Sequence, residues 1–384
     1  MPRRTHKKSR NGCIECKRRH IKCDERRPMC SNCTASERRC EFGSPALLVR
    51  ASPSTSQGQA NASPATRSPT PYPDFQSNGA PEGAPVNMLH VELLYQITLE
   101  LPDWISPSIQ QSGLSLTEIF RIGMGAPYLM NIMLALSALH LSIIKPEKQD
   151  FYRHHATHLQ TYALNSFNNL SPNIDEGTFI PAFIFAAILG LYLLCDTLVF
   201  RENSFEDFLD RFVQYVRLHQ GIRTITGEGR WESLQHTVLK PMLQENRHFL
   251  QMDADLGSVC ASLLGRIEES EKDTARVKVY GQAVQALQAI MIAIDKDHTA
   301  TGAMRALVAW PVIVPPAYVD LVSSRRGEAL VILAHYGALI HRLRDKWVFR
   351  DGGQFLVESI HTYLGSAWLE WLEWPRSFIM HNGS

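Results

Sequence analysis

Residues 13–40 read Cys13-Ile14-Glu15-Cys16-Lys17-Arg18-Arg19-His20-Ile21-Lys22-Cys23-Asp24-Glu25-Arg26-Arg27-Pro28-Met29-Cys30-Ser31-Asn32-Cys33-Thr34-Ala35-Ser36-Glu37-Arg38-Arg39-Cys40. The spacing is C-x2-C-x6-C, then six residues, then C-x2-C-x6-C again. Cys30, Cys33 and Cys40 each follow their counterparts Cys13, Cys16 and Cys23 by 17 residues, so a metal-binding half-unit is repeated. Structural zinc takes four ligands in a tetrahedron, and thiolate suits it well. One zinc leaves two of the six thiols over, and two independent zincs need more ligands than six cysteines supply. Six cysteines serve two zinc ions only if two of them bridge. The repeat makes Cys13 and Cys30 the natural bridging pair.

Two other uses of the cysteines compete with this one. A disulfide framework belongs to oxidising compartments and small secreted domains. Here the chain opens Met-Pro-Arg-Arg-Thr-His-Lys-Lys, with no apolar signal-peptide core, and a large domain follows that needs no staples. A mononuclear site with spare thiols would not explain the repeat. About 40 residues are too few for a self-sufficient core, so metal and fold should be coupled over residues 12–42.

The motif resembles the fungal binuclear zinc cluster family of transcription factors, on Gly12 to Glu25, Arg27 to Cys33 and Arg38 to Phe42. The resemblance implies two Zn2+. One would be held by Cys13, Cys16, Cys23 and Cys30, the other by Cys30, Cys33, Cys40 and Cys13. Pro28 matches the family's proline between the halves. The resemblance also implies a nuclear, sequence-specific regulator, more often an activator than a repressor.

Charge supports a nucleic-acid partner. Residues 1–43 carry 13 Lys and Arg against 5 Asp and Glu, and the remainder carries 26 against 33. The overall +1 thus conceals a basic head on a mildly acidic body, the footprint of a phosphate-binding module. The segment after Cys16, Lys17-Arg18-Arg19-His20-Ile21-Lys22, is nearly all cationic, whereas the one after Cys33 is mixed. The first should enter the major groove of double-stranded DNA, where guanine offers O6 and N7. By resemblance, Arg19 and His20 would read a CGG-like half-site; lysine is common where His20 stands. Lys17, Arg18 and Lys22 suit phosphate contacts, which position without specifying. Arg3, Arg4, Lys7, Lys8 and Arg10 form a basic arm over residues 1–11.

Residues 44–87 are rich in Ser, Pro, Ala and Gly, a composition expected to be a disordered linker. No sustained heptad follows the cysteine module, so a coiled coil beside the DNA is not supported. Binding as a monomer and homodimerisation through the C-terminal domain are the two alternatives.

Residues 88–384 should form a large irregular α-helical domain, with a solenoid as a variant, making the fold class mainly α. Apolar periodicity predicts helices over Met88–Leu101, Tyr128–Ile144, Phe151–Leu170, Phe179–Phe200, Phe205–His219, Leu256–Glu269, Ala275–Ile294, Glu328–Leu343 and Phe355–Trp374. Breaks are expected at Pro107, Pro146, Pro172, Pro315-Pro316 and Gly352-Gly353. The uncharged run Phe179–Cys195 falls short of the roughly 20 residues of a membrane span, so no span is expected. His140, His335 and His341 read as core or surface histidines, Cys195 and Cys260 as buried small hydrophobes. Arg153-His154-His155 with His158 lacks the carboxylates of a metal site. Leu364, Trp368 and Trp371 read as one packed helix face, with Glu370 and Glu373 offering an acidic-aromatic activation segment as the alternative.

Leu134 to His140, Ala329 to Tyr336 with Leu339 to Arg342, and Trp371 to Pro375 resemble the regulatory region of cluster proteins similar to the sterol uptake control protein. That resemblance implies an apolar small-molecule ligand; the residues of such a pocket are not assignable from sequence. The genes controlled would belong to a secondary-metabolite or a sterol-related pathway. An enzyme with a nucleic-acid-binding head is the third reading, but no phosphate loop, nucleophile elbow or paired-carboxylate signature supports it.

Overall fold

The computed structural model describes residues 13–19, 21–26, 29–36, 38, 40, 86–100, 115–170, 176–201, 204–221, 256–296 and 300–381. Among them every regular element is helical. The basic arm, nearly all of the linker, His20, Pro28, Pro107 and Pro172 lie outside the described residues. The chain divides into two compact units, residues 1–73 and 74–384. The first contains α1 (Ile14–Arg18) and α2 (Ser31–Thr34).

The second unit contains α3 (Met88–Glu100), α4 (Leu116–Gly125), α5 (Pro127–Ile144), α6 (Gln149–Leu170), α7 (Glu176–Val199) and α8 (Phe205–Gln220). After an undescribed stretch come α9 (Ser258–Ser270), α10 (Thr274–Lys296), α11 (Ala300–Ile313), α12 (Pro316–Ser323), α13 (Gly327–His341), α14 (Gly352–Leu364) and α15 (Glu373–His381). A helix that is apolar on all faces must be surrounded, and two helices fit that description. In α5 every residue from Ile132 to Ser142 is buried; in α13 every residue from Glu328 to His341 is. Around α5 pack α3, α4, α6 and α7; around α13 pack α10, α12, α14 and α15. The amphipathic α8 connects the two groups, touching α7 on one side and α11 and α12 on the other.

Local signals set the helix starts. Ser115 accepts from the Glu118 amide at 3.2 Å and Ser204 from the Asp207 amide at 3.1 Å, each satisfying an otherwise orphaned first-turn donor. Asn87, at the end of the expected linker, accepts from the His90 amide at 3.2 Å and so belongs to the start of α3.

Four helices lie largely outside the ranges that periodicity predicts: α4, α11, α12 and α15. The Ser115-Leu-Thr-Glu118 capping box is the signal that would have found α4. Pro311 lies inside α11, which hid its periodicity, and Pro316 opens α12. Gly352 and Gly353 start α14 rather than break a helix. The expected helix Phe355–Trp374 is interrupted: α14 stops at Gly365, whose φ of 76° is left-handed. Two short 3-10 turns, Ser366–Trp368 and Glu370–Leu372, precede α15. Leu364, Trp368 and Trp371 therefore do not share one helix face.

The length argument against a membrane span also needs correction. The apolar run continues into a 24-residue α7, and α5 and α10 are likewise long and apolar enough to cross a bilayer. Within the protein, 72% of the apolar window of α5, 67% of that of α7 and 50% of that of α10 is buried. Protein packing around α5 and α7 is an alternative to lipid as the source of their apolarity.

The core holds neutral histidines. His335 is fully enclosed, stacks on Trp374 with centroids 5.2 Å apart, and donates Nδ1–H to the Val331 carbonyl at 2.8 Å. His219 lies against Tyr215. Burial pushes both imidazoles down to about 4. An unfolded histidine titrates near 6.5, so between those values the unfolded chain binds more protons. Stability is full above about pH 6.5 and is lost as pH falls toward 4, on the order of 3 kcal/mol for each site. The melting temperature of the chain should drop steeply over that interval in a pH series; a flat profile would show these rings to be charged or solvated.

Candidate metal centre and nucleic-acid interface

The 17-residue repeat is reproduced in the backbone hydrogen bonds. Lys17 N–H donates to the Cys13 carbonyl at 3.1 Å, and Thr34 N–H to the Cys30 carbonyl at 3.0 Å. Ile21 N–H donates to the Cys16 carbonyl at 3.1 Å, and Arg38 N–H to the Cys33 carbonyl at 3.0 Å. Each half is thus the same helical turn, with Cys13 as N-cap of α1 and Cys30 as N-cap of α2.

The two turns bring all six sulfurs together. Cys13 Sγ lies 3.7 Å from both Cys30 Sγ and Cys33 Sγ, and Cys16 Sγ lies 3.6 Å from Cys30 Sγ. Cys13, Cys16, Cys23 and Cys30 form one quartet and Cys13, Cys30, Cys33 and Cys40 another, the sulfurs of each within 4.8 Å of one another. Only Cys13 and Cys30 belong to both. Backbone amides point at the sulfurs: Cys16 N–H at Cys13, Glu25 N–H at Cys23 and Cys30 N–H at Cys40, at 3.2 to 3.4 Å.

This donor set fits two zinc ions. Cys13, Cys16, Cys23, Cys30 and Cys33 are buried and, among the described residues, pack as a cluster made of cysteines alone. Burial, reinforced by the Cys13 and Cys30 sulfurs, holds the Cys16 thiol well above the usual thiol range. Six bare thiolates this close would repel one another, and cations at the centres of the quartets relieve that repulsion.

Side chains outside the cluster tie the halves together. Glu15 accepts from Arg18 at 2.9 Å and from Arg38, in the other half, at 3.2 Å. Both bonds hold its carboxyl below the usual range, the Arg18 bond first. Asn32 Nδ2 donates to the Lys22 carbonyl at 2.8 Å, and the Ser31 amide to Asp24 Oδ1 at 3.1 Å. Glu15, Asn32 and Asp24 were not anticipated. Only the i, i+3 spacing of Glu15 and Arg18 was a legible hint.

Of the cationic residues expected to meet DNA, Lys17, Arg18, Arg19 and Lys22 are all exposed on the first half. His20 lies outside the described residues. Arg18 is held by Glu15, and Arg19 Nη1 donates to Ser36 Oγ at 3.1 Å, which fixes its direction and leaves its other donors for a guest. Neither Lys17 nor Lys22 makes an ion pair among the described residues. The surface thus presents two unengaged ammonium groups beside two braced guanidinium groups.

In the second unit, the apolar cleft between α8, α11 and α12 lined by Phe212, Trp310 and Tyr318 has a volume of about 10 Å³. That is room for at most one water molecule.

Comparison with known proteins agrees with the cluster. Residues 11–47 match the fungal Zn(2)-Cys(6) binuclear cluster domain. A Zn(2)-C6 fungal-type transcription factor of Gibberella zeae is 25% identical over 100% of this chain and 88% of its own length. The Zn(2)-C6 fungal-type transcription factor afumD of Aspergillus fumigatus is 26% identical over 87% of this chain and 86% of its own. Sterol uptake control protein 2 of Candida albicans is 55% identical, but over 40 residues, 10% of this chain and 6% of that protein. No solved structure matches. The two long likenesses are to transcription factors, which supports a non-enzymatic regulator over an enzyme with a nucleic-acid-binding head. With a duplicated six-cysteine module that fits two zinc ions, residues 11–47 carry the fungal Zn(2)-Cys(6) binuclear cluster domain of DNA-binding transcription regulators, and most of the chain is similar to fungal transcription factors of that type.

Proposed function

We propose that the chain is a nuclear activator whose residues 12–43 bind a CGG-like half-site in double-stranded DNA. The carrying observation is the pair of sulfur quartets sharing Cys13 and Cys30, next to a turn of exposed cationic side chains. Cys13, Cys16, Cys23 and Cys30 hold one zinc ion; Cys13, Cys30, Cys33 and Cys40 hold the other. Arg19, braced by Ser36, and His20 read bases, while Lys17, Arg18 and Lys22 contact phosphates. Residues 44–87 act as a spacer, and residues 88–384 as the regulatory domain, through which a homodimer would form.

The genes controlled belong to a secondary-metabolite or a sterol-related pathway. The likeness to a sterol uptake control protein extends over 10% of this chain, which favours the biosynthetic reading over sterol gating. Genome-wide occupancy paired with transcript levels in a deletion strain tests it. Binding confined to one block of biosynthetic genes that fall silent on deletion supports the proposal; binding at sterol uptake promoters supports the alternative.

The division of labour on DNA has its own test. Lys17→Ala should weaken all duplexes about equally and reduce the slope of log K against log salt by about 1. Arg19→Ala should cost about 1–3 kcal/mol at one base position and relax specificity there. Anisotropy titrations at several salt concentrations, against CGG and scrambled duplexes, separate the two; a Lys17→Ala change in sequence preference would reverse the roles.

A further inference from the structure

The second unit has a cationic pocket that the DNA-binding role does not use. It opens where the C-terminal end of α7, the C-terminal end of α13 and the N-terminal end of α14 converge, and its volume is about 480 Å³. Arg201, His341, Arg344, Arg350, Asp351 and Gln354 line it. Three arginines thus face one carboxylate. That carboxylate is already engaged, since Arg201 Nη2 donates to Asp351 Oδ2 at 2.6 Å. Neither Arg344 nor Arg350 makes an ion pair among the described residues.

Four further features mark the pocket. His341 is 3% exposed, yet neither ring nitrogen has a hydrogen-bond partner. The Ile379 carbonyl approaches from α15 without reaching bonding geometry. Arg201 Nη1 is also buried and unpartnered, while its guanidinium stacks on Phe355 at 4.6 Å. An unpaired buried donor is costly and calls for a partner. Asp351 occupies the N-cap position of the 13-residue α14 but makes no side-chain cap, because Arg201 has drawn its carboxylate away. The Gly352 amide donates to the Phe349 carbonyl at 2.8 Å, but the Asp351 side chain caps no amide of the first turn of α14, at the end of a helix that favours negative charge. Arg350 has a φ of 42°, a backbone conformation rare for residues with side chains.

We infer that this pocket binds a small oxyanion-bearing metabolite, through a carboxylate or phosphate group held by Arg344, Arg350 and the free Nη1 of Arg201. The planar guanidinium fork matches both groups. His341 supplies a further donor from the pocket wall, and the N-terminal end of α14 adds its dipole. Such a site gives the regulatory domain a polar effector, a different class from the apolar ligand implied by resemblance. It goes beyond the DNA-binding reading and does not depend on it.

The test uses the zinc-loaded full chain, melted in succinate or in inorganic phosphate against sodium chloride of equal ionic strength. At about ten times the dissociation constant, the helical unit should melt about 3 °C higher than in chloride. The double variant Arg344→Gln/Arg350→Asn should lose that shift while keeping its melting temperature in chloride and its affinity for DNA. Gln354→Glu, which places a carboxylate in the pocket and leaves the arginines, should lose it as well. A shift with phosphate alone identifies a phosphoryl ligand, and one with succinate alone a carboxylate. No shift with either anion, or an undiminished shift in the variants, overturns the proposal. Loss of DNA binding in the wild-type chain would count against the zinc-module reading and leave this one standing.

Discussion

Cys30→Ala is expected to abolish sequence-specific DNA binding, lowering affinity by about 10³-fold or more to the non-specific level. Cys30 belongs to both sulfur quartets, caps α2 with its backbone and sends its amide to Cys40 Sγ at 3.2 Å. Its loss leaves three thiolates around each metal. Among the described residues the core of the module consists of the cysteines themselves, so metal affinity and folding are one quantity. Cys13→Ala should behave alike. Cys40 serves only one quartet and is partly exposed, so Cys40→Ala should retain one zinc and a residue of binding. Zinc content by mass spectrometry under native conditions, alongside duplex titration, makes the comparison. An equal loss of both metals in Cys40→Ala would contradict the sharing of Cys13 and Cys30. Chelation of the wild-type chain should reproduce the Cys30→Ala loss while the melting of the helical unit stays unchanged.

The second large effect is expected in the helical unit, from a change of one methyl group. A Cβ at Gly353 would lie 2.4 Å from the His341 backbone nitrogen and 2.5 Å from the Gly337 carbonyl oxygen. Both obstacles are backbone atoms of α13, the helix buried on every face, so no rotamer change relieves them. Gly353→Ala must push α14 away from α13 and open the packing of Ala338 and Val357 between them. Overpacking of this kind costs about 3 kcal/mol, a fall in melting temperature of about 6–12 °C. Gly190→Ala is the informative contrast. Its Cβ would meet the His219 imidazole at 2.3 Å, the far end of a side chain that can turn aside, so its cost should be smaller. Thermal melts of the two variants decide the order. A Gly190→Ala melting temperature lower than that of Gly353→Ala would show that α13 and α14 separate more easily than the imidazole of His219 moves.

The zinc module was legible because its information is local and chemical. Cysteine count and the 17-residue offset predicted two metals sharing Cys13 and Cys30, and the quartets in space share those residues. The cationic turn was legible for the same reason. What escaped was the scaffolding between the halves, Glu15 to Arg38 and Asn32 to Lys22, because contacts between segments far apart in sequence leave no periodic trace.

In the helical unit, periodicity located the long helices, since a 3.6-residue repeat is a property of the chain alone. It failed at α11, where Pro311 sits inside the helix, and after Gly365, where one left-handed residue ends α14 and turns the tryptophan-rich tail into 3-10 segments. The sequence by itself determined that two zinc ions organise the N-terminal module, that this module carries the positive charge, and that the remainder is helical. Only the tertiary structure decided that α5 and α13 are the enclosed helices, that Gly353 permits the close crossing of α13 and α14, and that Arg201, His341, Arg344 and Arg350 face one pocket. Ligand chemistry and helical period are written within a few tens of residues. Which helix is surrounded, and which cations meet, depends on packing between segments more than 100 residues apart, as Arg201 and Asp351 are, and no local pattern encodes it.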